Sequence, residues 1–166
     1  MHLTIAAALA VVAALAEFTI APYMKVGDAV PHPVLVFGVI AATAGGFEVG
    51  LACAFVGGLA LDILGQRPLG SSAFSLLVAI AVGSLVAGAL GRVRIAAPIV
   101  ATFVASVVYS VLLLVSTTAL TAAAIGPAAI GVIMPSAIYD TLLAAIFGPL
   151  TVAIVVRRRE AERVDW

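Results

Sequence analysis

Between Gly57 and Ser75 one apolar segment ends in a carboxylate, Asp62, and the next opens at Pro68-Leu69-Gly70 within six residues. In hydrocarbon an ionised side chain costs about 2.5–3.5 kcal/mol on insertion scales, so it persists where it meets a partner, a water-filled cavity or the interface. Any fold for this chain has to give Asp62 one of those three.

The setting of that aspartate is apolar throughout. Of 166 residues, 64% are hydrophobic and 10% charged, and the mean hydropathy is +1.30. These values belong to an integral membrane protein. Eight basic and eight acidic residues cancel, and the one dense charge run is Arg157-Arg158-Arg159-Glu160. With no basic surface, nucleic-acid binding is excluded. The single cysteine, Cys53, lies in an apolar segment and reads as a small packing residue.

Met1-His2 lacks the positive region of a signal peptide, so Leu3 to Ala21 is read as a retained first span. At about 1.5 Å per residue it covers close to the ~30 Å hydrocarbon layer. A loop from Pro22 to Pro33 holds Lys25, Asp28 and His32. The apolar region Val34 to Leu64 is too long for one straight span. Gly45-Gly46, just before Phe47-Glu48, supplies the backbone freedom for a reversal. The expectation is a short second helix, starting inside the loop or tilted and partly sunken, followed by a normal third. A fourth helix is expected from Ser71 to Leu90, a fifth from Ile95 to Ala124 and a sixth from Gly131 to Val156, with Pro98, Pro135 and Pro149 at starts or kinks. The fold class is thus an all-α membrane protein, residues 1–166 forming one compact bundle of six transmembrane helices, or five if Val34 to Leu64 is continuous. Residues 157–166 form a short basic tail.

With six spans, Arg157, Arg158, Arg159 and Arg163 share a side with Arg92 and Arg94, and Lys25 and Arg67 lie opposite. The excess of arginine places both termini in the cytoplasm. Small residues recur at four-residue spacing, Ala6, Ala10 and Ala14 in helix 1 and Gly50, Ala54 and Gly58 in helix 3. Such spacing lets backbones approach closely. Packing inside the bundle is the favoured reading, and helix 1, through Ala10 and Ala14, is the best candidate for a docking face.

Catalytic chemistry finds little to work with. His2 and His32 lie outside the apolar spans, Gly70-Ser71-Ser72 reads as a helix start, and no histidine and carboxylate fall at a metal-ligand spacing. No catalytic residue, metal or cofactor is expected. The acids Glu17, Asp62 and Asp140 remain. Facing inward, they would share protons or bind a cation as in a transporter. The preferred reading is structural: Asp62 caps helix 4 or pairs with Arg67, Glu17 snorkels to the interface, and Asp140 bonds Tyr109 or a hydroxyl such as that of Thr117.

The run Gly58-Leu59-Ala60-Leu61-Asp62, a short turn, and then Pro68-Leu69-Gly70 opening helix 4 resembles the bacterial rod shape-determining protein family MreD. The closing segment Pro135-Ser136-Ala137-Ile138-Tyr139-Asp140-Thr141-Leu142-Leu143, the length and the basic tail are also similar to that family. The resemblance implies a non-enzymatic scaffold in the bacterial cytoplasmic membrane, supporting lateral peptidoglycan synthesis and rod shape. Its implied partner is the single-span MreC and, through it, MreB, RodA and a class B transpeptidase. It also points to the six-helix substrate-binding subunits of energy-coupling-factor vitamin transporters, whose first helix docks through alanines at four-residue spacing. That alternative needs a ligand pocket, for which Tyr23, His32 and Arg67 are the few available groups.

Overall fold

A computed structural model of the chain describes residues 2–25, 29–91, 96–121 and 131–164, with side chains described for 3–25, 29–91, 96–119 and 131–151. Six α-helices occupy these residues: α1 (His2–Thr19), α2 (Pro33–Gly45), α3 (Phe47–Leu64), α4 (Ser71–Ala89), α5 (Ala96–Thr121) and α6 (Ile133–Val164). A single 3-10 turn, Ala21–Tyr23, follows α1. Four stretches are long and apolar enough to cross a membrane, Phe47–Leu64, Ser71–Ala89, Ala96–Ala119 and Ile133–Thr151. The chain is an all-α, multi-pass membrane bundle.

The break at Gly45-Gly46 divides Val34 to Leu64 into two helices, so six helices replace the five-helix alternative. Gly46 takes φ 108° and has open space where a Cβ would stand. Its amide donates to the Ala42 carbonyl at 3.1 Å, closing α2 while the chain turns into α3. With ψ at 159° this is a positive-φ region essentially reserved for glycine. Helix α6 runs further than expected, continuing through Arg157-Arg158-Arg159 to Val164. The expected end of helix 5 at Ala124 lies outside the described residues.

Helix α2 departs most from expectation. It begins at Pro33, the last residue of the expected loop, and lies at the centre of the bundle and not at its surface. The sequence α1, α3, α4, α5, α6 forms an arc of neighbours, and α2 packs against all five. Its side chains Val34, Leu35, Val36, Val39 and Ile40 are at most 4% exposed. At 13 residues it is about 20 Å long. A helix wrapped in protein has no hydrocarbon thickness to match, so the short length is tolerated.

Around the large side chains of α2, with Leu76, Ile80 and Tyr109, the helix contacts are made mostly by small residues. Inside are Ala10, Ala14, Ala54, Ala101, Ala105, Ala137 and Ala144 with Ser72, Ser75 and Ser106, all fully buried. Outside are Leu3, Ile5, Leu9, Phe18, Phe74, Leu85, Leu142 and Ile146. Lipid tails are as apolar as leucine, so bulk gains nothing by moving inward, whereas small residues let helices approach. A methyl added to Gly58 would run into the backbone of Ala73 on α4, and one on Gly50 into Ala42 on α2. Ala6, Ala10 and Cys53 form one cluster between α1 and α3, and Ala14 joins Val34 and Leu61 in the main core. Ala10 and Ala14 are therefore not a docking face; their methyls are used inside the bundle. Cys53 Sγ lies 3.6 Å from the Ala6 carbonyl, as a packing residue would.

Candidate functional site

A helix starts with backbone N–H groups that have no partner in their own helix, and their summed dipole favours negative charge there. In this bundle three acids answer that need from neighbouring helices, all at the end formed by the residue 20–33 loop and the α3–α4 turn.

Asp62, on the last turn of α3 and 1% exposed, serves α4. Its Oδ2 accepts from the Gly70 amide at 2.8 Å, and its Oδ1 from the Ser72 amide at 2.9 Å and the Ser71 hydroxyl at 3.1 Å. Gly70 holds φ 95° with open space at its missing Cβ, a left-handed bend that aims both amides at one carboxylate. The Ser71 amide closes the turn onto the Pro68 carbonyl at 3.1 Å. The expected cap on helix 4 is present, and the alternative ion pair with Arg67 is not. The Arg67 guanidinium reaches Ser72 Oγ at 3.4 Å, and the Arg67 amide donates to the Asp62 carbonyl at 3.0 Å.

Glu17 and Asp140 serve α2. Pro33 occupies its first position and has no N–H, and the amides on either side of it, those of His32 and Val34, find carboxylates. Val34 N donates to Glu17 Oε2 at 3.1 Å, and His32 N to Asp140 Oδ1 at 2.7 Å. Glu17 thus turns inward to α2 instead of snorkelling to the interface. One residue pair earlier, Val30 N donates to Ser136 Oγ at 3.1 Å. The loop is fastened to α6 on one side and α1 on the other.

Asp140 is fully buried and has more partners than its backbone donor. Its Oδ2 accepts from Ser106 Oγ at 2.6 Å and lies 2.9 Å from His32 Nδ1. The expected hydroxyl partner is therefore present, but it is that of Ser106 and not Thr117 or Tyr109. The Tyr109 ring instead stands edge-on to the His32 ring, centroids 5.2 Å apart at 77°. Its buried hydroxyl faces Ser72 and Arg67 without a hydrogen bond of ordinary geometry. Both hydrogen-bonding groups, Ser106 and His32, converge on the carboxylate, so the serine hydroxyl is engaged by Asp140 and not by the imidazole, unlike an activated nucleophile.

His32, Ser106 and Ser136 are the participants that sequence reading missed. The signal for His32 was Pro31-His32-Pro33, a rigid frame around one polar side chain; Ser106 and Ser136 carry none, because serines are ordinary in membrane helices. Among the described residues no group of three His, Cys, Asp or Glu side chains is arranged to hold a metal.

A cavity of about 350 Å³ adjoins this network. It opens between the second half of α5 and the start of α6, and His32 and Arg67 close its loop end.

The chain matches no protein-family model, no curated protein and no solved structure.

Proposed function

We propose that this protein is a non-enzymatic scaffold subunit of the bacterial elongation machinery, of the MreD kind. It sits in the cytoplasmic membrane with both termini inside, binds MreC and supports lateral peptidoglycan synthesis and rod shape. Through MreC it communicates with MreB, RodA and a class B transpeptidase.

The observation that carries this reading is the Asp62 cap on α4. The element from Gly58 to Gly70, on which the family resemblance rests, is a construction device: Gly58 admits α4, Asp62 binds its first amides, and Gly70 aims them. The remaining buried acids are likewise consumed in holding helices together. What the bundle offers to partners is its apolar outer surface and short turns, the means by which a membrane scaffold is recognised.

A vitamin-transporter subunit is the second reading, and the cavity beside His32 and Arg67 favours it by size, since ligand pockets start near 300 Å³. Against it, Ala6, Ala10 and Ala14 are turned inward and unavailable to a transport module.

Affinity capture of the tagged protein from bacterial membranes in mild detergent separates the two. The scaffold reading expects a single-span MreC-like protein at near-equal amount, with cell-wall synthases. An ATPase transport module or a bound vitamin would overturn it.

A further inference from the structure

The polar network explains how the helices start, but not why α5 and α6 part beside it. Ser110, Leu113, Leu114 and Thr117 follow one another at i, i+3, i+4 and i+7, a single face of α5. Opposite them stand Val132, Ile133 and Ser136 at the start of α6. Two apolar helix faces in one bundle would ordinarily close on each other. Here they line a cavity of about 350 Å³, enough for a head group and several methylenes.

Its loop end carries His32 and an exposed Arg67. Among the described residues Arg67 has no carboxylate within ion-pairing distance, the recorded pair being His32 with Asp140. The three neighbouring acids already accept hydrogen bonds elsewhere, Asp62 from α4, Glu17 from α2 and Asp140 from His32 and Ser106. The exposed Arg67 side chain makes one long hydrogen bond, 3.4 Å to Ser72 Oγ, and faces the Tyr109 hydroxyl, and a guanidinium has five N–H donors. His32 is tied through Nδ1 to Asp140 and lines the same cavity.

We propose that this cavity binds an anionic amphiphile, its phosphate or carboxylate head on Arg67 beside His32 and its first methylenes along Leu113, Leu114, Val132 and Ile133. The guanidinium fork suits a phosphate or carboxylate. The apolar walls supply the discrimination: burying methylenes is favourable, so a chain-bearing anion outcompetes the bare one. The site is independent of whether the bundle also carries MreC.

Dodecyl phosphate and inorganic phosphate, titrated separately against the full-length protein in a neutral maltoside detergent and followed by melting temperature, distinguish a membrane amphiphile from a free anion. Dodecyl phosphate is expected to stabilise the protein at concentrations at least tenfold below those at which inorganic phosphate acts. Arg67→Gln is expected to weaken dodecyl phosphate at least tenfold, Arg67→Lys less so, and Ser110→Phe, which fills the cavity, to abolish the response. Equal potency of the two phosphates would overturn the proposal, as would unchanged dodecyl phosphate binding in both Arg67→Gln and Ser110→Phe. If either variant melts too low to titrate, the other decides.

Discussion

Asp140 on α6 holds His32 at the start of α2 twice, through the backbone amide at 2.7 Å and the imidazole Nδ1 at 2.9 Å, across 108 residues of chain. With Glu17 on Val34, this fixes the start of the central helix from two sides. Two acids at one helix start are favoured because the helix end presents partial positive charge there, to which His32 adds when protonated.

The imidazole makes that clamp dependent on pH. Burial by itself pushes His32 down, but the Asp140 charge, its hydrogen bond and the Glu17 charge outweigh both burial and Arg67, leaving the group above its usual 6.5. A group raised in the folded state contributes stability that is fully present below the unfolded value and lost as pH climbs through the folded one. The melting temperature is therefore expected to fall as pH rises from about 6.5, and His32→Gln is expected to flatten that dependence. Thermal melts at stepped pH on both proteins check it.

Asp62→Ala removes the acceptor of two amides and a hydroxyl at the start of α4. Leaving buried donors unmet costs about 1–3 kcal/mol, so a clear fall in melting temperature is expected, with partner capture lost in step with folded protein. Asp62→Asn, which keeps one acceptor oxygen, is expected to fall less.

Gly58→Val puts branched carbon into the backbone of Ala73, which cannot yield without moving α4. Overpacking of this kind costs about 1–3 kcal/mol or more. Gly88, with open space around it, is the control: Gly88→Ala is expected to leave the melting temperature near wild type.

Ala10→Leu with Ala14→Leu is expected to reduce the yield of folded protein, since both positions are closed against α2 and α3. Leu9→Val on the outer face of α1 is expected to change little. Size-exclusion profiles of the purified variants compare the two faces directly.

Much of the bundle was legible because hydrocarbon imposes long apolar runs and glycine marks the reversals, as at Gly45-Gly46. The Asp62 cap was legible because its donors lie within ten residues. Glu17 and Asp140 were not, because their donors sit 17 and 108 residues away, and a sequence shows the cost of a buried acid without its remedy. The central place of α2 was hidden for a related reason: an all-apolar helix reads alike whether lipid or protein surrounds it. The small-residue stripe of α1 marked close packing correctly and left its partner open.

The central claim is that the buried acids build the bundle and carry no ion, and Asp140→Asn tests it most directly. The substitution keeps the shape and one acceptor oxygen while removing the charge. Its melting temperature and membrane level are measured alongside rod-shape support in a strain that depends on the protein. The predicted result is a modestly lowered melting temperature with shape support tracking the amount of folded protein. A variant with wild-type melting temperature and membrane level that fails to support shape would contradict it, because the carboxylate charge itself would then be in use.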